Sequence, residues 1–170
     1  MKRQLFNNKY RIPSTRFVGW DYRTSAPYFI TICTKGREHL FGEIENGVMQ
    51  LNDLGVYATE TIDNITIYSN CATIINQQVM PNHVHILLEL KNDTTDYQPN
   101  KFGPLLEKSL SSVINHFKGR VSKFADLHQL SAGWQSLFHD HIVRDEKEYV
   151  RIFEYISNNP KNWKEDKFFG

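Results

Sequence analysis

The sequence predicts an α+β fold in which helices pack on an antiparallel sheet. Three observations carry this expectation. The strand-like runs 72–80 and 83–90 are separated only by Pro81-Asn82, which reads as a tight reversal because proline cannot donate to a ladder. Glu45-Asn46-Gly47 between two short apolar runs is a hairpin signal. The stretches 104–124 and 145–158 read as helices, the first with Leu105, Leu106, Leu110, Val113, Ile114 and Phe117 near helical spacing. A chain of 170 residues, 40% hydrophobic and 23% charged, suits one soluble domain with a sizeable core.

In chain order, residues 1–26 form a basic arm without clean periodicity, read as extended. Tyr28 to Thr34 is β-branched and aromatic, a strand. Residues 40–44 and 48–51 make the hairpin, and Asn52 or Asp53 then caps a helix to about Asn64. The two long strands follow. Residues 91–103 are rich in Asn, Asp, Thr, Gly and Pro and read as a loop. Pro104 opens the next helix, Ser131-Ala132-Gly133 breaks the pattern, and Phe138 to Val143 is a short strand. The last helix stops at Asn159-Pro160, since a residue before proline avoids the helical region. The expected organisation is a basic arm (1–26), one domain (27–165) and a C-terminal tail (166–170).

No apolar run approaches the roughly 18 residues of a membrane span, so no membrane partner is expected. Residues 1–9 lack the apolar segment of a secretory signal. Cys33 and Cys71 lie in apolar runs and read as buried free thiols of a reducing cytoplasm. The formal net charge of +1 argues against a nucleic-acid partner, but its distribution argues for one. Arg11 and Arg16 in the arm, and Lys118, Arg120 and Lys123 in the 104–124 helix, belong to two basic segments offset by acidic residues elsewhere. An ordinary solvated surface would look similar.

The chemistry starts at His83-Val84-His85. On a strand both imidazoles point to one face. Such a pair is poor core material, because every ring nitrogen needs a partner, and good metal-binding material. From this triplet alone, two solvent-facing histidines on a half-exposed sheet are an equal reading. On the last helix Asn159 follows Tyr155 by four residues, so both share a face, while Tyr149 faces elsewhere. Two imidazoles and an amide oxygen suit a divalent ion that keeps open positions and polarises a phosphoryl oxygen. A phenol can then attack phosphorus.

At this point the sequence resembles a family. Pro81-Asn82-His83-Val84-His85-Ile86-Leu87-Leu88 resembles the HUH motif (His, bulky hydrophobe, His) of single-tyrosine HUH transposases. Trp134-Gln135, Phe138, Asp140-His141 and Arg144, followed by Tyr155-Ile156 and Asn159-Pro160, resemble the C-terminal signature of their REP-associated tyrosine transposase branch. The resemblance covers roughly residues 10–165. It implies a small ferredoxin-like (RRM-like) HUH endonuclease fold. It implies cleavage and rejoining of single-stranded DNA beside imperfect hairpins, through a 5′-phosphotyrosine and a free 3′-OH. Members act as dimers or on paired hairpins, so a homodimer is implied as well. Carried over, His83, His85 and Asn159 are metal ligands for Mg²⁺ or Mn²⁺, and Tyr155 is the nucleophile. Asp140 and His141 are supporting or DNA-contacting groups. Separately, the excess charge of the two basic segments is expected to set Arg11, Arg16, Lys118, Arg120 and Lys123 along the DNA.

Three alternatives stay open. His139 and His141 could join His83 and His85 in a four-histidine zinc site. A domesticated relative could bind hairpin DNA and seldom cut it. A nucleotide hydrolase of the histidine-triad type also carries paired strand histidines, but it needs a third histidine where this chain has Leu87. Trp134 reads as a buried tryptophan in preference to a base-stacking one.

Overall fold

The computed structural model describes residues 20–92 and 108–169. It contains six strands and four helices: β1 (Pro27–Cys33), β2 (Gly42–Glu45), β3 (Val48–Leu51), α1 (Asp53–Asp63), α2 (Ile65–Tyr68), β4 (Ala72–Met80), β5 (His83–Leu90), α3 (Leu110–Leu127), β6 (His139–Ile142) and α4 (Glu146–Asn158). The main sheet has the order β4-β5-β1-β6, with every neighbouring pair antiparallel. Two split βαβ units, β1-α1-β4 and β5-α3-β6, generate that order, which is the ferredoxin-like arrangement. The β2–β3 hairpin is a separate two-stranded sheet inserted between β1 and α1.

The helices begin where short polar side chains can satisfy free backbone amides. Asn52, Ser109 and Asp145 accept hydrogen bonds from the amides of Gly55, Ser112 and Glu148. Each such cap is worth about 1 kcal/mol. The Ser109 cap moves the start of the third helix from the expected Pro104 to Leu110. A helix cannot run through Lys108, whose φ is +57°. Residues 104–107 lie outside the described part. The helix also continues past the expected end, to Leu127.

Each face of the sheet has its own packing. Tyr28, Ile30 and Ile32 of β1 and Val84, Ile86 and Leu88 of β5 face α1 and α3 in the main core. On the other face, Leu87 packs with Val143 and with Ile152 and Ile156 of α4. β5 is therefore buried on both sides, which explains its nearly continuous apolar run. A register shift between Ile74 and Asn76 breaks the β4–β5 ladder. Beside it, the Asn76 amide donates to the Phe153 carbonyl and to Ser157 Oγ, tying β4 to α4.

The expected tail is not a tail. Beyond α4 the chain makes a short 3-10 turn at Trp163–Glu165 and comes back over the sheet. Phe168 is 3% exposed, and its carbonyl accepts a hydrogen bond from Asn82 Nδ2 at 2.9 Å. Aromatic surface at Trp163 and Phe168 holds this segment down. Cys33 and Cys71 are both buried free thiols. Among the described residues, no helix is long and apolar enough to cross a membrane.

Candidate active site

His83 and His85 lie fully buried on β5, beneath α4 and the returning C-terminal segment. Cross-strand pairing sets His83 opposite Cys33 and His85 opposite Thr31. The two rings turn their Nε2 atoms toward each other, 3.0 Å apart. The outer nitrogens are held from behind: His83 Nδ1 lies 2.8 Å from Asn82 Oδ1, and His85 Nδ1 lies 2.8 Å from Thr31 Oγ1. Asn82 cannot flip, because its Nδ2 is committed to the Phe168 carbonyl. Its oxygen therefore accepts, His83 carries its proton on Nδ1, and the Nε2 lone pair is free for a ligand. Thr31 can accept from His85 Nδ1 in the same way. Burial pulls the pKa of His83 down to about 4 and that of His85 well below the usual histidine range. Both rings are thus neutral near pH 7, the form that binds metal.

From α4, Tyr155 and Asn159 project to this point, one helical turn apart. A residue the sequence reading left in the tail completes the cluster. Asp166 Oδ2 accepts hydrogen bonds from Tyr155 Oη at 2.8 Å and from Asn159 Nδ2 at 2.5 Å. Its Oδ1 accepts from the Phe168 amide at 2.6 Å. Tyr155 Oη also lies 3.3 Å from His85 Nε2. Burial opposes ionisation of Asp166. The hydrogen bonds from Asn159, Phe168 and Tyr155, with His83 nearby, nonetheless hold its carboxyl below the usual carboxylate range. Burial, and then the adjacent Asp166 carboxylate, push the Tyr155 phenol above its ordinary pKa.

The ligand atoms of His83, His85 and Asp166 all lie within 4.8 Å of one another, so the three could hold a metal ion. An independent observation fits that role. Asn159 Oδ1 is buried and has no hydrogen-bond partner. A buried carbonyl oxygen left without a partner costs roughly 1–3 kcal/mol, and a cation would remove that cost. Two imidazoles, a carboxylate and an amide oxygen form a mixed nitrogen and oxygen set suited to a divalent ion.

No family model matches the chain. An uncharacterized protein of Haemophilus influenzae is 35% identical over 168 residues, covering 92% of each chain. A second Haemophilus influenzae protein, named as a candidate REP-associated tyrosine transposase, is 25% identical over 84 residues, 48% of this chain and 46% of its own. The solved structure of a REP-associated tyrosine transposase bound to a REP hairpin is similar, with a TM-score of 0.60 and 21% identity. That match covers 94% of this chain and 76% of the other. The chain has the fold of that solved transposase. It belongs to one family with the 35% identical Haemophilus influenzae protein.

Within this fold the remaining candidates fall in different places. Tyr149 packs against the small cluster of Leu87, Val143, Ile152 and Ile156, away from the histidines. His141 pairs with Phe29 in register, on the site's face, and its Nε2 lies 2.7 Å from Glu148 Oε1. Asp140 sits opposite Ile30. Strand alternation puts it on the opposite face of the sheet from His85, so it does not support the metal ligands. Neither His139 nor His141 belongs to the metal-competent group found among the described residues. Trp134 is half-buried against Phe41 and Phe117, with Nε1 donating to the Lys118 carbonyl.

The expected DNA-lining cations need a similar correction. Arg11 and Arg16 lie outside the described residues. Lys118 is half-buried, and its ammonium donates to the Gln135 carbonyl at 2.8 Å. It ties α3 to the loop before β6, and burial lowers its pKa. Arg120 and Lys123 are exposed, but α3 packs on the sheet face opposite the histidines. Arg37, Arg151 and Lys167 are cations beside the site. Arg37 donates to the Lys167 carbonyl at 3.2 Å and lies over the Phe168 ring. Sequence reasoning missed them because they lie on three separated segments. The aromatic residues of the last eight positions were the available signal that this segment packs.

Proposed function

We propose that the chain is a metal-dependent tyrosine transposase that cleaves and rejoins single-stranded DNA beside hairpins through a 5′-phosphotyrosine. The observation that carries the reading is the position of Tyr155 Oη, 3.3 Å from His85 Nε2 and 2.8 Å from Asp166 Oδ2. A purely structural tyrosine has no need of a neutral imidazole and a carboxylate at its hydroxyl. The solved transposase similar in fold was bound to a REP hairpin, which supports hairpin DNA as the partner here.

His83, His85, Asp166 and Asn159 would hold Mg²⁺ or Mn²⁺, and the imidazole donors favour Mn²⁺. When bound, the ion supplies positive charge that polarises a phosphoryl oxygen and eases loss of the phenolic proton. The protein's own groups do the rest. Asp166 orients the phenol by accepting its hydrogen bond, and Asn82 and Thr31 fix both rings. Tyr155 Oη bonds to phosphorus as the P–O3′ bond breaks. The phenolic proton leaves to solvent, and the 3′ oxygen takes a proton to become the free 3′-OH. Rejoining is the reverse, with a 3′-OH displacing the tyrosine.

The test is covalent capture. Incubated with hairpin-flanked single strands and Mn²⁺, the protein should form an adduct that maps to the peptide bearing Tyr155. Tyr155→Phe should form none, while Tyr149→Phe still should. Retention of hairpin DNA without an adduct would favour the alternative, a hairpin-binding protein with little cleavage activity.

A further inference from the structure

A hollow of about 630 Å³ opens beside Tyr155, lined by Phe29, His141, Arg151, Ile152, Tyr155 and Lys167. The cleavage chemistry does not use it. Its composition is uneven in a telling way. Phe29 and Ile152 give it aromatic and aliphatic surface, with Phe29 edge-on to Tyr155 at 6.0 Å between ring centroids. Arg151 and Lys167 bring two cations, Arg151 being 76% exposed and 3.5 Å from Glu148. His141 forms another part of the wall, held by Glu148. The volume is in the range of small-ligand pockets and large enough for one nucleotide. An aromatic ring with cations beside it matches a nucleobase joined to its phosphates.

Tyr155 belongs both to the hollow and to the cluster of His85 and Asp166. A strand that brings a phosphate to Tyr155 Oη must therefore run an adjacent nucleotide past the hollow. We infer that this hollow is a nucleotide subsite, which takes one base flanking the cleaved phosphate against Phe29 while Arg151 and Lys167 hold the backbone. The inference rests on Tyr155 being the nucleophile. It assigns to Phe29 a part in choosing where the strand is cut, because an empty or wrongly filled subsite leaves the phosphate poorly placed.

The experiment scans an abasic site through the single-stranded flank of a hairpin oligonucleotide. At one position next to the cleaved bond, the abasic lesion should slow adduct formation by about tenfold to a hundredfold, the range of one lost base stack. In Phe29→Leu, which keeps apolar volume on β1, the same lesion should cost almost nothing further. A second readout needs no cleavage. Tyr155→Phe should quench 2-aminopurine placed at that position, and Tyr155→Phe with Phe29→Leu should quench it much less. Adduct forming equally fast with the lesion at either flank overturns the subsite and leaves the nucleophile assignment standing. Quenching with no adduct from any wild-type reaction keeps the subsite as a binding pocket and overturns the cleavage reading. Neither quenching nor adduct overturns both.

Discussion

Asn82 and Thr31 decide which nitrogen of each histidine faces the site, and neither would coordinate the ion itself. A threonine-to-valine change keeps the shape of Thr31 and removes only the oxygen 2.8 Å from His85 Nδ1. Thr31→Val should therefore fold normally and lose about 10- to 100-fold in metal affinity. Calorimetric titration with Mn²⁺ checks this, and unchanged affinity would mean that the hydroxyl does not orient the ring. Acid should act on the same pair. Burial brings the pKa of His83 in the folded chain down to about 4, from an ordinary histidine value of 6.5. Its depressed value means the unfolded chain takes up the proton first. Stability of metal-free protein is thus undiminished above pH 6.5 and falls as pH drops toward 4, by on the order of a few kcal/mol. Denaturant melts in chelator at pH 7 and pH 5 read the difference, and equal midpoints would show the rings are not buried as neutral groups. At this scale His83, His85, Tyr155 and Asn159 were all legible from two spacings. Asp166 was not, because it follows Pro160 in a segment with no period to place it.

The elements were legible where a period or a turn residue marked them. β4 and β5 match the expected strands at both ends, and Asn52 and Asp145 cap their helices. α2 and the 3-10 turn at Trp163–Glu165 were not read, since four and three residues are too short to show a helical period. Two glycines inside helices give opposite predictions from their surroundings. Gly119 lies in the middle of α3 on its exposed side, and a Cβ there meets nothing within 4 Å. Gly119→Ala should gain about 0.5–1 kcal/mol, chiefly by restricting the unfolded chain. Gly55 lies in the first turn of α1, where a Cβ would come within 2.2 Å of the Phe41 carbonyl oxygen. Gly55→Ala should push α1 away from that backbone and cost about 1–3 kcal/mol. Thermal unfolding should separate the two variants by several degrees in opposite directions about the wild type. A destabilised Gly119→Ala would mean that this surface is covered by a partner.

At the scale of the molecule, the sheet divides charge from chemistry in a way the linear sequence hides. α3 was expected to border the strand at the site because it is basic and belongs to the same fold plan. The register shows instead that its buried residues face Ile30 and Ile86, on the opposite side from His85. A strand at Tyr155 meets Arg151 and Lys167 directly, while it can reach Arg120 and Lys123 only by passing around a sheet edge. Salt dependence distinguishes the two sets. For single strands, each lost phosphate contact flattens the slope of log affinity against log salt by about 0.7. Replacing Arg151 and Lys167 together with alanine should therefore reduce the slope for a short unpaired oligonucleotide by about 1.4. It should also slow adduct formation on that oligonucleotide. Replacing Arg120 and Lys123 should change neither quantity on the short strand, and should weaken binding only when a hairpin long enough to wrap the edge is attached. A slope change on the short strand from the Arg120 and Lys123 pair alone would place the strand on the α3 face and leave the buried His83–His85–Asp166 cluster without a route to its substrate.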